Sequence, residues 1–150
     1  MSQTLGERLK NATQDAEKKR ILKSIADAFH FDGDKVAFCD LEFNNVISCL
    51  DKKSFERMDL SVSDESVFIR FECFLKGLQS VGDVLFCVTT QDNFYCLKLS
   101  VSFLKNKPDY FWKIKGCNHG LSDCILIEEN GSFGFVNLYT EYGYELYEWV

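Results

Sequence analysis

The sequence predicts an α+β fold, with an N-terminal helix or helix pair packed on one face of a mainly antiparallel sheet of about six to eight strands. Three observations predict it. Residues 1–31 place apolar side chains at helical spacing. Residues 35–150 consist mainly of runs rich in β-branched and aromatic residues, separated by short polar turns. One of those turns is Asn130-Gly131, the strongest short-range hairpin signal in the chain. Strands joined by short turns pair antiparallel, because a parallel pair needs a crossover of a dozen residues or so.

The helical region opens with Thr4 and Glu7 at capping-box spacing, which makes Leu5 the first helical residue. Leu5, Leu9, Ala12 and Ala16 form one stripe. Ile21, Leu22, Ile25, Ala26 and Phe29 form a second, rotated by more than a third of a turn. One straight helix cannot bury both against a flat surface. The pattern therefore predicts a break near Thr13 to Asp15, or a long helix whose first part packs loosely. Asp32-Gly33 ends the region in a turn.

The strands follow. Val36 to Phe43 is rich in β-formers. Val46 to Leu50 reads as a strand, with a short helix over Asn45 to Arg57 as the alternative. Met58 to Val62 is a weak strand. Ser66 to Leu75 alternates Val67, Ile69, Phe71, Cys73 and Leu75 with Phe68, Arg70, Glu72 and Phe74, which predicts a strand. Val84 to Thr89 and Phe94 to Phe103 flank a turn at Gln91-Asp92. Tyr110 to Ile114 is a further strand. Cys124 to Glu129 and Ser132 to Tyr139 flank Asn130-Gly131, whose residues suit a type I′ turn, and Tyr142 to Val150 is an edge or final strand. The 150 residues fit one domain, helical over 1–31 and mainly sheet over 35–150, without internal repeat or composition break.

Composition narrows the function classes. Apolar residues make up 46% of the chain and aromatic residues 15%, which excludes a disordered chain. The polar N-terminus predicts no signal peptide, and no apolar run approaches the ~20 residues of a membrane helix. A cytoplasmic location is therefore expected, with no membrane partner. The seven cysteines are odd in number, and five lie in strand-like apolar runs, so they read as reduced core thiols.

Charge is distributed unevenly. Residues 1–115 hold all 17 Lys and Arg and 17 of the 23 acids. The net charge of −6 arises in the last 35 residues, from Asp123, Glu128, Glu129, Glu141, Glu145 and Glu148. Such a surface repels phosphates and attracts basic partners. The segment Phe133-Gly134-Phe135-Val136-Asn137-Leu138 resembles the core of the RNA-recognition-motif signature, in which strand aromatics stack on bases. The basic-Gly pair that precedes that core is replaced here by Gly131 and Ser132, and the twelve residues that follow are acidic. No nucleic-acid partner is expected.

Catalytic, cofactor and metal motifs are lacking. Cys117, His119 and Cys124 are the only Cys/His cluster, without the second ligand pair of a zinc site. His30 ends an apolar helix face and reads as structural. Neither a dinucleotide-binding nor a Walker glycine pattern occurs. We therefore expect no catalytic residue, no metal and no cofactor.

One constellation points to binding. Tyr139, Glu141, Tyr142, Tyr144, Glu145, Tyr147, Glu148 and Trp149 interleave aromatics with acids. Tyr and Trp bury large rigid area at interfaces, and carboxylates beside them pair with Arg or Lys. With Asp123, Glu128 and Glu129, these residues from Glu141 to Trp149 form the expected partner-binding surface. The profile is small, acidic and free of catalytic motifs, as in a bacterial immunity protein that inhibits a nuclease-type toxin. That likeness is one of class and not of motif. The alternatives are a phage or mobile-element inhibitor of a defence complex, a small-ligand binder or enzyme with a scattered site, and a homo-oligomer formed by edge pairing.

Overall fold

The capping box forms as its spacing predicts: the Thr4 N–H donates to Glu7 Oε2 at 3.0 Å and the Glu7 N–H to Thr4 Oγ1 at 3.1 Å. It starts α1 (Leu5–Phe29), which runs unbroken through Thr13 to Asp15. Of the two expectations for this region, the long helix with a loosely packed first part holds. Leu5 and Leu9 are 73% and 61% exposed, whereas Ile25 in the second half is fully buried. The computed structural model describes residues 3–29, 36–40, 43–51, 53–58, 63–79, 82–90, 93–115, 123–140 and 143–150. The chain divides into two compact units, Met1–Val36 and Ala37–Val150. The Asp32-Gly33 and Gln91-Asp92 turns and His30 lie outside the described residues.

The second unit follows the order β1 (Ala37–Cys39), α2 (Phe43–Leu50), β2 (Phe55–Met58), α3 (Asp64–Gly77), β3 (Asp83–Thr89), β4 (Phe94–Ser100), α4 (Val101–Asn106), α5 (Pro108–Ile114), β5 (Cys124–Glu128), β6 (Gly134–Thr140) and β7 (Gly143–Trp149). The seven strands form one antiparallel sheet in the order β1-β4-β3-β5-β6-β7-β2. The α+β class and the antiparallel sheet are as the sequence predicts.

Several element types are not. Ser66 to Leu75 is helical, inside α3. Ser63 caps it by accepting the Ser66 N–H at 3.2 Å, Asp64 and Glu65 occupy the first turn, and Lys76 the last. Val67, Phe71, Phe74, Leu75 and Leu78 are buried at helical spacing, while Ile69, which the alternating pattern puts beside them, is 54% exposed. Apolar positions at i, i+4 and i+8 satisfy both periods, and the cap decides between them.

Tyr110 to Ile114 is likewise helical: Pro108 stands at the start of α5, where its fixed φ suits a first turn and its missing N–H costs nothing. The predicted strand 94–103 ends at Ser100, whose hydroxyl accepts the Phe103 N–H at 3.2 Å and caps α4. Val46 to Leu50 belongs to α2, so the alternative of a short helix holds there, but that helix ends at Leu50 and Phe55 to Met58 turns back into strand. The strand predicted from Val36 is confined to Ala37–Cys39. The C-terminal strand is the last in sequence but not an edge, because β2 pairs outside it. The β5–β6 hairpin forms, but with a five-residue connection, 129–133, instead of a two-residue type I′ turn. The Glu128 N–H donates to Phe133 O at 2.9 Å, the Gly131 N–H to Glu128 O at 2.8 Å, and Gly131 takes φ +81°.

Alternation along the strands gives the sheet two apolar faces. On one, Phe86 and Phe135 meet Phe71 of α3 at ring-centre distances of 6.4 and 5.5 Å, Phe135 also meets Phe74, and Phe86 meets Phe111 of α5 at 5.7 Å. On the other, Cys87, Cys96, Ile125, Ile127, Val136 and Tyr147 pack with Val46 and Leu50 of α2. Within residues 37–150, helices therefore cover the sheet from both sides.

Candidate functional site

The strand β2 forms one edge of the sheet, and its residues Phe55, Glu56 and Arg57 are exposed. Among the described residues no further strand pairs beyond β2. Its four residues face Tyr144 to Tyr147 of β7, and Phe55, 46% exposed, lies with its ring centre 5.3 Å from that of Tyr147. Two clefts flank this edge and share Phe55. One, about 410 Å³, lies between Phe55, Glu56, Arg70, Phe74, Glu148 and Trp149. The other, about 280 Å³, lies between Leu50, Asp51, Lys53, Phe55, Glu145 and Tyr147.

Ion pairs border both clefts. Arg70 of α3 reaches Glu56 of β2 at 2.7 Å and Glu148 of β7 at 3.4 Å. Its hydrogen bond to Glu56 raises the guanidinium's pKa further. Arg57 meets Glu145 at 3.4 Å, and the Tyr147 hydroxyl donates to the same carboxylate at 3.3 Å. Burial, and then the Glu145 charge, raise the Tyr147 phenol. The Lys53 ammonium stands 4.9 Å from the centre of the Trp149 ring, whose Nε1 donates to Gly131 O at 3.0 Å.

The residues expected to bind a partner fall into distinct environments. Glu145, Glu148 and Trp149 come together at the β2–β7 edge. Tyr144 and Tyr147 are buried, 4% and 8% exposed, and contribute packing. Glu128 folds back on its own turn, accepting N–H bonds from Asn130 at 2.6 Å and Ser132 at 3.2 Å, and the Ser132 bond leads in lowering its pKa. Glu129 pairs with Lys98 at 3.0 Å, a bond that raises the lysine's pKa.

Asp123 accepts the Tyr139 N–H at 2.8 Å, and burial raises its carboxyl. It interacts with Lys115, buried after α5, whose ammonium is 4.0 Å from Asp64 and 4.0 Å from the centre of the Trp112 ring. Burial lowers Lys115 and pushes the neighbouring Cys124 thiol up to about 12. Glu141 and Tyr142 lie outside the described residues, as do Cys117 and His119.

The sequence did not single out Phe55, Arg57 or Arg70. Cations from before residue 115 answer acids from after it, and that pairing follows from β2 docking on β7 and α3 crossing above, neither of which is written in local spacing. The exposed aromatic at the head of a short strand was the one readable signal. No family model, curated protein or solved structure matches the chain.

Proposed function

We propose that this chain is a binding protein that neutralises a basic protein partner, and that the partner is received along β2. The observation that carries the reading is the exposed Phe55 on an open strand edge between two clefts. An edge strand offers unpaired backbone groups to an extended segment, and flanking clefts take its alternate side chains.

Charge supports the sign of the partner. Residues 37–150 hold 17 acids and 10 basic residues, a net of −7, against six acids and seven basic residues in 1–36. A cationic partner exchanges its own Arg and Lys for those that now hold Glu56, Glu145 and Glu148, so its association is fast and salt-sensitive. The finer reading is an immunity-type inhibitor of a nuclease-type toxin, whose phosphate-binding surface would meet these carboxylates. An inhibitor of a defence complex uses the same physics on a different partner.

The test captures partners from the native host at low salt, elutes with moderate salt, and measures the purified pair directly. The expected partner is basic. Phe55→Lys is expected to weaken it at least ~10-fold, the size of an interface hot spot, and Glu145→Lys with Glu148→Lys to slow its association. A partner that binds both variants as the parent does would overturn this reading, and so would recovery of no protein at all.

A further inference from the structure

Three cysteines line up across three neighbouring strands. Cys39 of β1 stands opposite Cys96 of β4, and Cys96 stands opposite Cys87 of β3. Directly opposed residues project to the same face of a sheet, here the face under α2. Cys96 and Cys87 are buried, whereas Cys39, on the outermost strand, is partly exposed.

The spacing of this row suits disulfide chemistry. In an antiparallel sheet the N–H and C=O of one residue turn toward the same neighbour. Of the two pairs made by Cys96, one is therefore hydrogen-bonded and the other is not, with Cα separations of about 5.5 and 4.5 Å. Both fall within the roughly 4.4–6.8 Å that a disulfide spans. The two outer cysteines sit two strands apart, about 10 Å at the backbone. Among the described residues, no group of three His, Cys, Asp or Glu is arranged to hold a metal ion.

The three thiols also differ in character. Cys87 donates a hydrogen bond to Cys96, which lowers the Cys96 pKa and, with burial, raises that of Cys87 well above its ordinary value. Cys39 interacts with Cys96 too and is raised, chiefly by burial, while Lys98 on the same face pulls the other way. Negative charge is thus best held on the middle sulfur, which is within reach of both neighbours, and the thiolate is the nucleophile in disulfide formation.

We propose that Cys39, Cys96 and Cys87 form a redox site in which a hydroperoxide oxidises Cys39 and Cys96 closes a disulfide onto it. Cys39 meets the peroxide because it is the one thiol of the row that is not buried, and in its thiolate form, which burial disfavours, it attacks the terminal peroxide oxygen. The O–O bond breaks, the alkoxide leaves with the proton Cys39 gave up, and Cys39 becomes a sulfenic acid. The Cys96 thiolate then attacks the Cys39 sulfur. The S–O bond breaks, and the departing hydroxide takes the proton released by Cys96 to form water. Two thiols lose two electrons together, and the peroxide is reduced to an alcohol and water. Cys87 stays a thiol and acts as a positioning residue, holding charge on Cys96.

The test uses the full chain with Cys49, Cys73 and Cys117 replaced by serine, which leaves Cys39, Cys87, Cys96 and Cys124 in place. It is treated with tert-butyl hydroperoxide, denatured, alkylated and mapped without reduction. The expected result is a loss of two alkylatable thiols and a Cys39–Cys96 linked peptide that dithiothreitol reverses. Cys96→Ser should leave a sulfenic acid on Cys39 that dimedone traps, and Cys39→Ser should form no link. Cys87→Ser should still form the link, several-fold more slowly at neutral pH, with its rate–pH profile moved to higher pH. An unchanged thiol count would overturn the proposal. Conversion of Cys39 to a sulfinic acid without a link, or a Cys87–Cys96 link with Cys39 free, would do the same. Because the first readout leaves Cys39, Cys87 and Cys96 unchanged, it stands even where a variant at one of these three fails to fold.

Discussion

The indole of Trp149 occupies the space that a side chain at residue 134 would need. The two residues face each other across β6 and β7, and a Cβ built on Gly134 overlaps the six-membered ring of Trp149. The ring is fixed from the far side as well, because its Nε1 donates to Gly131 O at 3.0 Å. The glycine is therefore the seat of the aromatic ring, and the hairpin loop is its anchor. Gly134→Ala is expected to destabilise the fold by about 1–3 kcal/mol, the usual cost of overpacking a fitted site. Denaturant unfolding of Gly134→Ala, Trp149→Ala and the double variant checks it. The alanine at 134 should cost much less once Trp149 is gone.

That relationship shows what the sequence can and cannot disclose. Phe133 to Leu138 is legible as a strand, but the reason for a glycine within it lies on another strand. The same limit explains α3. Val67, Phe71 and Leu75 are four apart, and four is a multiple of the strand period as well as close to the helical one. Only Ser63 and the acids after it separate the two readings, and they stand outside the apolar run. At the candidate site the acids of the C-terminal strand were legible, whereas Arg57 and Arg70 come from elements 88 and 78 residues away from their partners Glu145 and Glu148. Locally the sequence reports charge, and the fold decides how much of it is answered.

Phe71 stands at the centre of the ring cluster beneath α3, its ring centre 5.2 Å from that of Trp112 and 5.5 Å from that of Phe135. It is fully buried, so truncation removes both its transfer energy and its neighbours' contacts. Phe71→Ala is expected to cost about 3–5 kcal/mol. Ile69→Ala, two residues away on the exposed side of the same helix, should change stability by less than ~1 kcal/mol. Equal costs in urea melts would mean that the strand reading of this segment had been right.

Lys115 gives stability a pH dependence of defined sign. Burial holds its folded pKa below the ordinary 10.5. Between those two values the unfolded chain binds more protons at this site than the folded one, so stability rises with pH through the window and is penalised below it. Lys115→Met keeps the packing and removes the charge. It is expected to be at least as stable as the parent at pH 7, as replacement of a buried ion by an apolar side chain often is. The difference between the two proteins should shrink as pH climbs toward 10.5. Chemical denaturation from neutral to alkaline pH measures it. A variant that falls far below the parent at pH 7 would show that the pairing with Asp64 outweighs the burial.

Arg70 separates a contribution to folding from a contribution to binding. Its guanidinium joins Glu56 on the edge strand to Glu148 on the next, and all three side chains are substantially exposed. Exposed pairs of this kind contribute roughly 0.2–1 kcal/mol, so Arg70→Met should leave the melting transition nearly in place. What it changes is the field over the larger cleft, where two carboxylates lose their shared counter-charge. A basic partner that docks along β2 should then associate several-fold faster at low salt. That gain should fade at an ionic strength of about 0.15 M, where the screening length falls to about 8 Å. Stopped-flow association at two salt concentrations reads both effects. If the variant instead associates more slowly at both, Arg70 itself touches the partner, and the carboxylates beside it are not what draws that partner in.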